Sequence, residues 1–267
     1  MPQIDHNNIY NSLYSNLESF KIHCEEVVFD DLKTLIVHFN YVKNLLKADA
    51  DYQQWNINCF YPISRYLYEK TNTICSFKDG SVYLSEKLRD HNVEKMLSFL
   101  STDKQTEVEN LIQKLESLFA VDENPIFDLV LEPKLRKQEP GKPVSIVFSN
   151  NVLMAKAHNF FVDHENTTKN TQRNLGFFQR IESSQLHCTT AIQLKNNSPE
   201  FFDSIFAVGT FSQFPENLTN FPKCKDLHFF GYDFFGSPKG LQPFSSSLVK
   251  KKPVGYLMNF EKKIKYV

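Results

Sequence analysis

Apolar positions along the first half of the chain recur with a helical period. From Asp31 they fall at Leu32, Leu35, Ile36, Phe39, Val42 and Leu46, the spacing of one buried helix face, with Asp30 placed to cap it. A second helix is predicted from "STDKQTEVENLIQKLESLF". There Thr102 and Gln105 have the spacing of a capping box, and Val108, Leu111, Ile112, Leu115 and Phe119 form the stripe. Weaker helical patterns cover residues 9–22, 59–70 and 84–100.

The pattern changes after "EPKLRKQEPGKP". Short runs of β type follow: 144–149, 153–162, 186–194, 204–212, 226–235 and 254–260, with a helical segment at about 168–182 between them. The predicted fold class is α+β, a helical N-terminal lobe at 1–135 packed on a C-terminal antiparallel β-rich lobe at 143–267, either as two lobes or as one continuous domain.

Composition narrows the function classes. Of 267 residues 41% are hydrophobic and 23% charged, an ordinary globular balance that does not point to disorder. A net charge of −1 gives no field to gather nucleic acid, and the basic tract "VKKKP" is short, so no nucleic-acid partner is expected. Only 8 glycines are present and neither glycine-rich phosphate fingerprint occurs, which leaves nucleotide binding by those loops without support. No run of about 18 apolar residues appears, so no transmembrane segment is expected. The opening residues lack a basic stretch followed by an apolar one, which points to a cytoplasmic protein or one delivered to a host cytosol by a non-classical route. Five cysteines, with no C-x-x-C pair, fit a reducing compartment, and without H-E-x-x-H or zinc-ribbon spacing neither a metal nor a cofactor is expected.

The candidate chemistry centres on "NINCFYPISRYL". A thiolate is the reactive form of cysteine, and a helix N-terminus stabilises it. Phe60, Ile63 and Leu67 give a stripe for a helix that starts beside Cys59, and Pro62 would fit in its first turn. His187 opens the strand-like run "HCTTAIQL" and Asp203 precedes "SIFAVGTF", so a hairpin would bring the acid beside the imidazole as base and orienting group. Gln53, six residues before Cys59, is placed to lend an amide to an oxyanion.

A glutamine before a cysteine that heads a helix, followed by a histidine and an acid in a β lobe, resembles the papain-like cysteine proteases. The sixteen-residue spacing from His187 to Asp203 looks like that of the YopT/AvrPphB-type bacterial effector proteases, and Tyr66-Leu67 resembles a Trp-Leu pair of that family. The resemblance covers three short patches. It departs from the pattern in having no glycine before Cys59, in Pro62, and in lacking Pro-Asn after the acid. It implies a thiol-dependent hydrolase or acyl transferase on a protein substrate, with Cys59 as nucleophile, His187 as base, Asp203 as orienter and Gln53 as oxyanion donor.

Rival patterns are present. Cys75 with His228 and Gln242 has the order of a deamidase or transglutaminase triad, although the Lys78-Asp79-Gly80 turn disfavours a helix starting at Cys75. "HCTT" around His187 matches one half of a two-histidine phosphoesterase motif, and the second half is missing. His158 and His164, with Asp163 or Glu165, have a spacing that could seed a metal site. The non-catalytic alternative is an interaction protein that uses its aromatics, of which ten phenylalanines lie between 201 and 235.

Overall fold

The computed structural model describes residues 20–139, 141–168, 186–197, 202–209, 224–233 and 258–266. Strand β1 (Phe20–Val28) leads into helix α1 (Asp30–Leu46). One continuous helical run follows, made of α2 (Tyr52–Trp55), a π-helical turn (Asn56–Phe60) and α3 (Tyr61–Thr71). Then come α4 (Ser81–Asp90), α5 (Val93–Leu97) and α6 (Thr102–Phe119), and a second π-helical turn (Phe127–Leu131) that enters α7 (Glu132–Lys137). The rest alternates: β2 (Val144–Phe148), α8 (Asn151–Thr168), β3 (Leu186–Thr190), α9 (Ala191–Asn197), β4 (Phe202–Val208), β5 (Cys224–Tyr232) and β6 (Met258–Tyr266).

The two clear helices form where their stripes predict. Leu32, Leu35, Phe39, Val42 and Leu46 are buried on α1, whose N-cap is Phe29 and not Asp30. On α6 the buried residues are Val108, Leu111, Leu115 and Leu118, with Ile112 and Phe119 partly covered. Ser101 occupies the N-cap there without a side-chain bond, so the capping box does not form.

Both helices with internal prolines solve the same problem in one way. A proline ring clashes with the carbonyl four residues back, and its nitrogen donates no hydrogen bond. Pro62 and Pro133 each sit two residues after a π-helical turn, where the widened ladder gives the ring room.

Helices and strands are both well represented, as an α+β chain requires. The strand direction differs from the expectation. Among the described residues all six strands are parallel, in the order β3-β2-β4-β5-β1-β6, where antiparallel pairing was expected. Parallel neighbours need a crossover, and the described helices α8 and α9 lie between β2 and β3 and between β3 and β4. One of the predicted β runs accordingly turns out helical, and another ends early in a helix. Residues 153–162 lie within α8, where Asn150 Oδ1 accepts the backbone N–H groups of Val152 and Leu153 as a cap and Leu153, Ala157 and Phe161 are buried at i, i+4 and i+8. The run 186–194 is a strand only to Thr190.

A further difference is β1, which comes from the segment expected to be helical and runs between β5 and β6. The helices of the first half and the strands of the second therefore share one core. It joins Val27, Ile146, Phe206 and Phe230 on one sheet face to residues of α1 through α8. The opposite face buries Val147, Ile205, Ala207, Leu227 and Phe229 outside that cluster. Among the described residues no helix is long and apolar enough to cross a membrane.

Candidate functional site

Cys59 lies in the middle of the continuous helix, within the π-helical turn, and not at a helix start. It is 0% exposed, packed in the main core, and burial pushes its thiol up to about 12. The two features that would make it a thiolate, unpaired helix N–H groups and access to solvent, are both missing at this position.

His187 and Asp203 stand on the other side of the sheet. Ser145 of β2 is level with His187 on one side and with Ile205 on the other. Because strand side chains alternate, His187, Ser145, Ile205 and Asp203 share a face, opposite Val144 and Ile146, which belong to the cluster containing Cys59. The expected histidine and acid thus fall on one face, with β2 between their strands, and the expected nucleophile falls on the other. The expected hairpin is absent because β3 and β4 are parallel and both pair with β2. The His187 ring meets Phe202 edge-on at 5.6 Å, while Asp203 Oδ1 lies 3.8 Å from Lys142 Nζ and 4.0 Å from Lys225 Nζ. Gln53 is exposed on α2.

The rival positions are placed only in part by the described residues. Cys75 lines a cleft of about 730 Å³ with Glu69, Lys78, Asp122 and Lys156. Its thiol accepts from Thr73 Oγ1 at 3.3 Å, and its pKa is raised, chiefly by burial. Gln242 lies outside the described residues, as do the side chains of Asp163, His164 and Glu165. His158 is exposed on α8. Of the phenylalanine run, Phe202, Phe206, Phe229 and Phe230 are buried core residues, and Phe201, Phe211, Phe214, Phe221, Phe234 and Phe235 lie outside the described residues.

Among the described residues the exposed aromatics lie elsewhere, on the helical layer. Phe99, in the turn after α5, is 75% exposed at the rim of a second cleft of about 780 Å³. Trp55, Met96, Leu100, Ala48 and Ala50 supply its apolar lining, and Asp51, His91 and Lys95 its polar edge. The π-helical turn packs beside it, with Asn58 Nδ2 3.8 Å from Met96 Sδ. Ile57, the next residue back, is 56% exposed.

One cluster of titratable groups was not anticipated as a unit. His23 and His228 stack with ring centroids 4.3 Å apart, and His23 Nε2 lies 2.9 Å from Asp226 Oδ1. Glu25, 3% exposed, lies 2.5 Å from Lys134 Nζ of α7, with Oε1 4.0 Å from His228 Nδ1. The signal in the sequence is the two-residue step in "HCE" and "DLH", which puts both side chains of each strand on one face. The pairing of β1 with β5 then joins groups 203 residues apart. Compared with protein-family models, with curated proteins and with solved structures, the chain finds no match.

Proposed function

We propose that this protein works by binding another protein through its helical layer, with the cleft beneath Phe99 as the recognition site. The observation that carries the proposal is a large aromatic side chain held out in solvent beside a cleft lined by Trp55 and Met96. A phenylalanine left in water forgoes the free energy of burial, about 2 kcal/mol or more, which an apolar segment of a partner would recover. Aromatic and methionine side chains are the residues that interfaces favour for this purpose. The sealed position of Cys59 removes the main support for the competing thiol-hydrolase reading.

The test uses the chain's single tryptophan as reporter. A photo-crosslinking residue at position 99 should give a discrete protein adduct in native extract, and one at Val152, which is exposed on α8, should not. Titrating the identified partner should shift Trp55 emission, and Phe99→Asp should abolish that shift. Equal labelling from positions 99 and 152, with Trp55 emission unchanged by the captured protein, rejects the proposal.

A further inference from the structure

The geometry points to a metal site on the sheet: His23 and His228 with Asp226 bind a divalent transition-metal ion of borderline softness, with zinc as the probe ion. The three residues come from two adjacent parallel strands and lie on one face, and one donor atom from each falls within 4.8 Å of the others. An ion about 2.0–2.1 Å from each ligand in tetrahedral geometry holds its donors about 3.3 Å apart. His23 Nε2 and Asp226 Oδ1 already stand 2.9 Å apart, so small side-chain rotations complete the set. Two imidazoles and one carboxylate suit zinc and its first-row neighbours, whereas calcium and magnesium prefer all-oxygen sites.

The surroundings fit this assignment. Strand backbones fix the position of each donor, and the ring of Phe206 packs 5.0 Å from that of His228. Glu25 lies within 4.0 Å of the His228 ring and is itself held by Lys134, the place where an outer carboxylate orients a ligating imidazole. Side-chain exposure rises from 9% at His228 through 17% at His23 to 33% at Asp226, which gives the ion a path in from the Asp226 side. On binding, the ion takes the place of the hydrogen between His23 Nε2 and Asp226 Oδ1, and the neutral imidazole then carries its one hydrogen on Nδ1. The site is separate from the cleft under Phe99, so the two proposals stand or fall independently.

The experiment uses the full chain, stripped with a chelator and then titrated with zinc or cobalt(II). One equivalent should bind, and the cobalt form should show ligand-field bands without thiolate charge transfer. X-ray absorption on the zinc form should give a nitrogen and oxygen shell at about 2.0–2.1 Å. Asp226→Asn, at a partly exposed position, and His23→Ala should each weaken binding about 100-fold or more with far-UV dichroism unchanged. His158→Ala, on the exposed face of α8, should leave binding as it was. In the unaltered protein the imidazole resonances of His23 and His228 should shift together at one equivalent. Sulfur ligation, shifts confined to other histidines, or zinc affinity equal in Asp226→Asn, His23→Ala and the parent protein overturns the assignment.

Discussion

Asn72 closes against Gly209 so tightly that a β-carbon on the glycine would stand 2.7 Å from Asn72 Oδ1. The contact joins the end of α3 to the carboxyl end of β4, where Gly209 has φ +122 and donates its N–H to Phe230 O at 2.9 Å. Asn72 is itself fixed, 1% exposed, with Nδ2 donating to Tyr68 O at 2.7 Å. Neither the backbone conformation nor the space admits a side chain. Gly209→Ala should cost about 2–4 kcal/mol in urea denaturation, with the loss assigned to strain plus overpacking. A change below about 0.5 kcal/mol would mean that the helical layer does not seat on β4 as described.

The thiols give a second measure. Cys59 is sealed and its pKa is pushed up to about 12, so iodoacetamide should leave it unmodified in the native protein at neutral pH. Cys59→Ala removes a buried sulfur and should cost about 1–2 kcal/mol. Alkylation of Cys59 at a rate near that of a free thiol would restore the nucleophile reading and undo this account of the helix.

What the sequence disclosed and what it hid follow from the range of the interactions involved. The stripes of α1 and α6 were legible because local i, i+3 and i+4 spacing decides burial. Strand β1 was not, since "FKIHCEEVV" carries His23, Glu25 and Glu26 where a buried strand would show apolar residues, and only distant partners such as Lys134 make Glu25 tolerable there. The direction of pairing was equally hidden, because alternation along a strand does not encode which neighbour it meets. The Cys59, His187, Asp203 constellation relied on chain order, spacing and lobe placement, and none of these says on which face of a sheet a residue lies. The His23, Asp226, His228 cluster has its local half in two short steps of two residues, and its other half in a strand pairing across most of the chain.

Asp128 predicts how stability depends on pH. Burial first, then the nearby Glu123 and Glu132, raise its carboxyl from the ordinary 3.8 to about 6, against the opposing backbone hydrogen bond from Asn124. The folded form therefore holds the proton more tightly than the unfolded chain. This contribution is fully present below about pH 4 and is lost as pH rises through about 6. The full gap would correspond to about 3 kcal/mol, and partial solvation of the carboxyl reduces the expected effect to about 1 kcal/mol. Asp128→Asn keeps an acceptor for the Asn124 N–H, so it should stabilise the protein at pH 8 by about that amount and have little effect at pH 4. Parallel stability curves for the two proteins between pH 4 and 8 would exclude this origin.

Asn124 is the clamp on the loop that carries Cys75. The residue is 2% exposed, and its Nδ2 donates to Thr73 O at 3.2 Å and to Cys75 O at 2.9 Å, while Oδ1 accepts the Ile126 N–H at 3.0 Å. An amide is the one side chain of this size that offers two donors and an acceptor at once. Asn124→Ala strands these buried backbone groups and should cost about 2–4 kcal/mol. Asn124→Asp should be at least as damaging, because a carboxylate turns acceptor oxygens toward two carbonyls and is itself buried. The local consequence separates a clamp from mere packing. With the loop released, Cys75 at the wall of its cleft should alkylate faster in Asn124→Ala, while Cys59, held in a different part of the core, stays protected. If both cysteines gain reactivity together, the protein opens globally and Asn124 does not hold this loop in particular.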